Sequence, residues 1–252
     1  MKKSVCIISL ILAGAAGVYG ADFSLSAGGG AHAGGLFTRY TLTANGKIEG
    51  ETVSVNAGQE MNQRNFGGFL FIDGTWAEFS VGVQSGTNTF NEKIVTASPS
   101  IGNPTEIIKG RGRETMLTFA LTGKYPFKLS DRFALSPLAG LEYQIALMQR
   151  RHEPGYSEYD RTNGERESDV DGEPYKLSTW NSLFVNIGVG MDIDLVSSLF
   201  LRTELFYGFR LKTFYEEDAL KKVKENLNAA DPKLGGLTGG PILRVAAGWR
   251  FF

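Results

Sequence analysis

Between Ser198 and Lys212 the chain reads SLFLRTELFYGFRLK, and its side chains fall into two sets of alternate positions. Leu199, Leu201, Leu205, Tyr207, Phe209 and Leu211 form one set, broken only by Thr203. Phe200, Arg202, Glu204, Phe206, Gly208, Arg210 and Lys212 form the other. Successive side chains of a strand point to opposite faces, so this segment specifies a strand with one apolar and one charged face. A helix would scatter both sets around its axis.

The pattern recurs along the chain. In TMLTFALTGKYPF the apolar parity holds Leu117, Phe119, Leu121, Tyr125 and Phe127, and in FALSPLAGLEYQIALMQR it holds Phe133, Leu135, Leu141, Tyr143, Ile145 and Leu147. SLFVNIGVGMDI sets Leu183, Val185, Ile187, Val189 and Met191 against Ser182, Asn186, Gly188, Gly190 and Asp192. WAEFSVGVQ sets Phe79, Val81 and Val83 against Glu78, Ser80 and Gln84, and the chain ends with Leu243, Val245, Ala247, Trp249 and Phe251 against Arg244, Ala246, Gly248, Arg250 and Phe252. Two segments are less regular. FSLSAGGGAHAGGLFTRYTLT changes parity near Gly34 and Gly35, which predicts a bulge. NFGGFLFID is apolar on both parities, and its faces cannot be assigned. The total is eight strands.

Their connections alternate in length. Asp73-Gly74, KLSD and DLVS make three tight turns, whereas residues 43–60, 86–112, 151–177 and 215–240 read as long loops. A meander with every tight turn at one end and every long loop at the other predicts an all-β, eight-stranded antiparallel up-and-down barrel of the transmembrane kind. Its N-terminus fits export: Lys2 and Lys3 precede an apolar run from Val5 to Val18, too short for a spanning helix. The expected division is a signal peptide over residues 1–20 and a barrel over 21–252. Cys6, the only cysteine, lies in that leader, so disulfide and thiol chemistry are not expected of the mature chain. A formal net charge of −1 gives no reason to expect nucleic acid.

A soluble lipocalin-like barrel would share the alternation but point its apolar parity inward. Three features favour lipid outside instead. The apolar parity is nearly continuous and carries aromatics near strand ends, the other parity mixes charge with glycine, and the chain ends on an aromatic pair. The C-terminal Gly248-Trp249-Arg250-Phe251-Phe252 resembles the assembly signal of the small outer-membrane barrels of diderm bacteria, the OmpW, OmpX and OmpA-transmembrane group. It departs by one residue, because Phe252 follows the usual final phenylalanine. Either Phe252 overhangs, or it takes the terminal role and Arg250 faces lipid. The resemblance implies an outer-membrane location, with membrane lipid and the barrel-assembly machinery as partners. In OmpW-like members it also implies an extended wall around a hydrophobic pocket with a lateral exit. Several strands also carry about 15 or more alternating residues where about 9 to 11 span a bilayer, so the barrel is expected to extend beyond the outer leaflet, with Leu147, Trp180 and Phe214 near its upper rim.

Glu78, Glu142, Gln144, Arg150, Arg202, Glu204, Arg210, Lys212 and Arg244 fall on the lumen parity and form a candidate charge network. No cofactor is expected. Asp169, Asp171 and Glu173 place oxygen ligands at alternate positions beside a glycine, a weak candidate for Ca²⁺. His32 and His152 lack spaced serine and acid partners, so no catalytic residues are assigned. EEDALKKVKENLNAADP predicts a short helix in the last loop. The favoured function is a narrow passage for small, including apolar, solutes. The alternative is a surface barrel whose external loops bind an extracellular ligand.

Overall fold

The computed structural model describes residues 24–48, 50–98, 100, 102, 104–152, 159–161, 181–213, 220–221, 224–225 and 232–251. Eight strands form the wall: β1 (Leu25–Ile48), β2 (Glu51–Gly74), β3 (Ala77–Ala97), β4 (Thr105–Lys124), β6 (Phe133–His152), β8 (Ser182–Asp194), β9 (Leu199–Thr213) and β10 (Lys233–Arg250). Two short strands, β5 (Phe127–Lys128) and β7 (Tyr159–Arg161), pair with β6. All neighbours are antiparallel. Pairing of β1 with β10 and of β4 with β6 closes the ring. The last strand is fastened on both sides: the Arg250 amide donates to the Ser198 carbonyl and the Phe251 amide to that of Leu25. A barrel closed this way has no free sheet edge.

The wall is taller than the loop lengths in the sequence suggest. Residues 43–60 and most of 86–112 are strand, and only short tips remain at Gly50 and around residues 98–104. Gly50 turns with φ of 89°, a backbone that other L residues adopt only under strain. Glu51 accepts hydrogen bonds there from the hydroxyls of Ser100 and Ser98, tying the two tips together. Those bonds, Ser100 first, hold its carboxyl below the ordinary range. The last loop is likewise shorter, because β10 begins at Lys233. Within it Leu220, Lys221, Lys224 and Glu225 have helical backbone; the other residues of the expected helix lie outside the described residues.

No bulge occurs at Gly34–Gly35. β1 keeps one register with β2 from Leu25 to Ile48, and its even-numbered residues from Ser26 to Gly46 face inward. The apparent parity change came from adjacent apolar residues on opposite faces, Leu36 inside and Phe37 outside at 60% exposure. The true irregularities fall between Thr115 and Met116 against β6, where Leu147 is the extra residue, and between Leu183 and Phe184 against β9, where Leu211 is.

The distribution of polarity is inverted relative to a water-soluble protein. Leu70, Phe66, Ile187, Leu205, Val189 and Trp249 face outward and more than half exposed, whereas Asp73, Glu78, Gln84, Arg202, Glu204 and Arg244 are buried inside. Water would not tolerate an apolar belt of this extent, and hydrocarbon supplies its natural surroundings. The unassigned stretch of β2 resolves accordingly: Phe66, Leu70 and Ile72 face lipid, while Asn65, Phe69, Phe71 and Asp73 face the lumen.

The inward aromatics need space, which glycine provides. Phe71, Gly28, Gly248 and Phe200 are successive cross-strand partners over β2, β1, β10 and β9. The two rings converge over the two glycines, their centroids 6.3 Å apart. A Cβ on Gly248 would lie 2.4 Å from Phe200 Cζ and 2.9 Å from Phe71 Cζ. Gly248→Val should therefore cost about 1–3 kcal/mol of stability through overpacking. A lower urea midpoint for unfolding from micelles would register it, and an unchanged midpoint would show that the rings move aside freely.

Candidate functional site

The inward residues nearest the short-turn end come from β1, β2, β3, β4, β8, β9 and β10 and converge on two arginines. Arg202, on β9, forks onto Asp192 of β8, with Nε to Oδ1 at 2.7 Å and Nη2 to Oδ2 at 2.8 Å. Its Nη1 donates to Glu78 Oε2 at 2.6 Å and its Nη2 to Asp73 Oδ2 at 2.7 Å. Asp73 Oδ2 also accepts from Lys124 Nζ and, at 3.3 Å, from Ser26 Oγ. Arg244, on β10, donates to Glu78 Oε1 at 3.0 Å and to Ser80 Oγ at 3.2 Å. Its Nη1 lies 3.2 Å from Glu204 Oε2, near enough to attract but too oblique for a hydrogen bond. Three cations thus face four carboxylates.

Aromatic rings fill what remains. The Arg202 guanidinium lies 5.2 Å from the Phe71 centroid and 5.1 Å from that of Phe200, and Arg244 lies 3.9 Å from Phe69. A guanidinium can donate in its plane and stack through its faces at once, which lysine cannot. Glu78 and Glu204 retain 2% exposure, Arg202 3% and Phe200 1%. Around these four almost no accessible surface remains, while the Asp192 side chain keeps 18%.

A second, polar tier lies further toward the loop end. Gln144 Nε2 donates to Glu142 Oε1 at 2.6 Å, and Asn186 Nδ2 to Glu142 Oε2 at 3.2 Å. His32 Nε2 stands 3.2 Å from Gln84 Oε1. The described hydrogen-bond partner of His32 is thus an amide, which cannot act as the acid of a catalytic triad. Above these, Gln63 donates to Glu114 and, at 2.8 Å, to Asn65 Oδ1.

The sequence candidates therefore divide. Glu78, Arg202, Glu204 and Arg244 meet in the ionic tier, and Glu142 and Gln144 belong to the polar tier. Arg210 stacks on Tyr40 at 5.2 Å. The side chains of Arg150, Lys212 and His152 lie outside the described residues, as do residues 1–20, Asp169, Asp171, Glu173, Trp180, Phe214 and Phe252. Leu147, on the apolar parity, stands outward at the bulge. Sequence reasoning left three members out of the network. Asp73 belongs to the Asp73-Gly74 turn signal, and Lys124 and Asp192 stand at polar positions of their strands with no partner in the sequence to mark them. At the C-terminus Trp249 and Phe251 face outward, and Arg250 turns to Asp194 at 3.1 Å and to the Phe200 ring at 5.2 Å. Of the two arrangements open for Arg250, it takes the lumen side.

No family model and no curated protein sequence matches the chain. Among solved structures, the outer membrane protein OprG from Pseudomonas aeruginosa is similar at 12% identity and a TM-score of 0.37, over 90% of this chain and 95% of that one. Ail, the attachment invasion locus protein of Yersinia pestis, gives 10% identity and 0.31 over 90% and 99%. The outer membrane protease OmpT from Escherichia coli gives 11% and 0.34 over 92% and 99%. The closed ring, the apolar exterior and the charged interior make this chain an eight-stranded transmembrane β-barrel of the outer-membrane kind.

Proposed function

We propose that the chain is a sealed outer-membrane barrel that anchors and displays a tall β-wall outside the cell, where the wall and its loops are the working surface. The buried ionic tier carries this reading. Eight strands enclose only enough room for their own side chains, and here Arg202, Glu78, Asp73, Asp192, Arg244 and Glu204 fill it as a connected network. Passage of a solute would require several charge-assisted bonds to break together.

The wall's height supports display. The 24 residues of β1 extend about 80 Å at roughly 3.3 Å per residue, or about 60 Å along the axis for a tilt near 40°. The apolar band of such barrels needs only about 25 Å. Among the described residues β8 and β9 have 13 and 15, whereas β4 and β6 have 20 each and β3 has 21, so the tallest part of the wall is built from β1 to β3 with β4 and β6 beside it.

Single-channel recording in a planar bilayer tests the proposal. Protein shown to be folded by a heat-modifiable gel shift, and shown to be inserted, should give no discrete conductance steps. Steady small steps from the unmodified barrel would instead establish the narrow passage and overturn the sealed reading.

A further inference from the structure

Outside the barrel, above the apolar belt, four strands form a basic concavity. Register places Gly35, Arg64, Thr87 and Arg113 side by side over β1, β2, β3 and β4, and Phe37, Asn62, Thr89 and Arg111 in the adjoining row. Together they line a hollow of about 1010 Å³. Arg64, Arg111 and Arg113 are exposed, and none pairs with a carboxylate among the described residues. The carboxylate of Glu60, one row further out, is engaged by Arg39 at 3.6 Å. Glu114 separates Arg113 from Thr115 in sequence but points inward to Gln63.

The belt begins immediately below. On β2 the next outward residue after Arg64 is Phe66, 67% exposed, followed by Gly68 and then Leu70 at 71%. On β3, Val83 follows Ser85. A ligand fitting both halves has anionic oxygens at one end and hydrocarbon at the other. Three guanidiniums with interleaved hydroxyl and amide groups suit phosphate, which arginine binds through paired hydrogen bonds.

We infer that the Arg64, Arg111 and Arg113 face binds the phosphate-bearing headgroup of an outer-leaflet glycolipid, with its acyl chains lying along Phe66 and Leu70. A soluble polyanion would satisfy the arginines but leave the contiguous apolar strip unused, so the lipid is the occupant the surface favours. The inference depends neither on a sealed lumen nor on a ligand for the wall's tip.

The test uses the folded barrel in non-ionic detergent. Native mass spectrometry and an unfolding-midpoint shift would be read on titration with bisphosphorylated lipid A, with the same lipid lacking both phosphates, and with a soluble sulfated oligosaccharide. The phosphorylated lipid should bind as a discrete adduct and raise the midpoint, and its affinity should fall as salt rises. The variant Arg64→Gln/Arg111→Gln/Arg113→Gln should bind it at least about tenfold more weakly, since charge-assisted bonds to phosphate are lost. A control altering Lys128 and Arg132, at the short-turn end, should bind as the parent does. The gel shift checks that the variant folds, and Arg64→Gln alone provides a milder case. Equal binding of phosphorylated and dephosphorylated lipid would overturn the inference. So would equal binding by parent and triple variant, or oligosaccharide binding as tight as that of the lipid.

Discussion

Replacing Arg202 with methionine should unfold a large fraction of the barrel or leave it much less stable, with a loss of about 3–5 kcal/mol. Methionine keeps much of the apolar bulk against Phe71 and Phe200 but removes the guanidinium donors that Arg202 supplies to Asp192, Glu78 and Asp73. Asp192 then loses its fork, and Glu78 is left with Arg244 as its cation. A buried ion network adds little net stability over an apolar filling, but removing one partner strands the others' charge in a dry site. Arg202→Lys should fall between the two, because an ammonium cannot span three carboxylates in one plane. Urea titration followed by heat modifiability on gels would measure all three proteins. A midpoint for the methionine variant within about 0.5 kcal/mol of the parent would mean that the tier does not hold the barrel together. Whatever fraction inserts should also be recorded in a planar bilayer. Conductance appearing only in the variant would identify the ionic tier as the seal.

A second large effect is expected on the opposite face of the same strand. Leu205 is 53% exposed and lies midway along the outward row of β9. An arginine there would meet the middle of the hydrocarbon, and Leu205→Arg should destabilise the folded barrel by about 2–4 kcal/mol in lipid. In a water-soluble barrel the same change on an outward face would fall within about ±0.5 kcal/mol. Leu237→Arg, at a 64% exposed site among the outer residues of β10, should cost no more than about 1 kcal/mol because it lies toward the loop end. Equilibrium unfolding from lipid vesicles would measure the contrast. Equal, small costs at both positions would remove the case for lipid around the wall.

Where both faces of the barrel have different surroundings, the strands were legible residue by residue. β9, and β10 from Pro241 onward, separate lipid from lumen, and their alternation is plain. Toward the loop end that contrast disappears, because outward positions such as Arg64, Thr87 and Arg111 are polar while buried inward positions mix Val53 and Phe90 with Gln63 and Asn88. Residues 43–60 and 86–112 consequently lack an apolar parity and read as loops, although 43–48, 51–60, 86–97 and 105–112 are hydrogen-bonded strand. β2 was obscure for a different reason: Phe69 and Phe71 are inward aromatics, accommodated over glycines and beneath guanidiniums. Composition at those positions resembles the lipid face, and only the neighbouring strands distinguish them.

Alternation and the order of turns determined the class of fold, the parity of most side chains and the presence of charge inside, since each depends on periodicity along one strand. The tertiary structure decided which charges meet. Arg202 and Asp73 are separated by 129 residues, and their contact depends on the registers that bring β9, β10, β1 and β2 around the ring. The bulges at Leu147 and Leu211 and the true height of the wall were settled in the same way. Register is a relation between strands, set by how two backbones pair, and no local pattern in either strand encodes it alone.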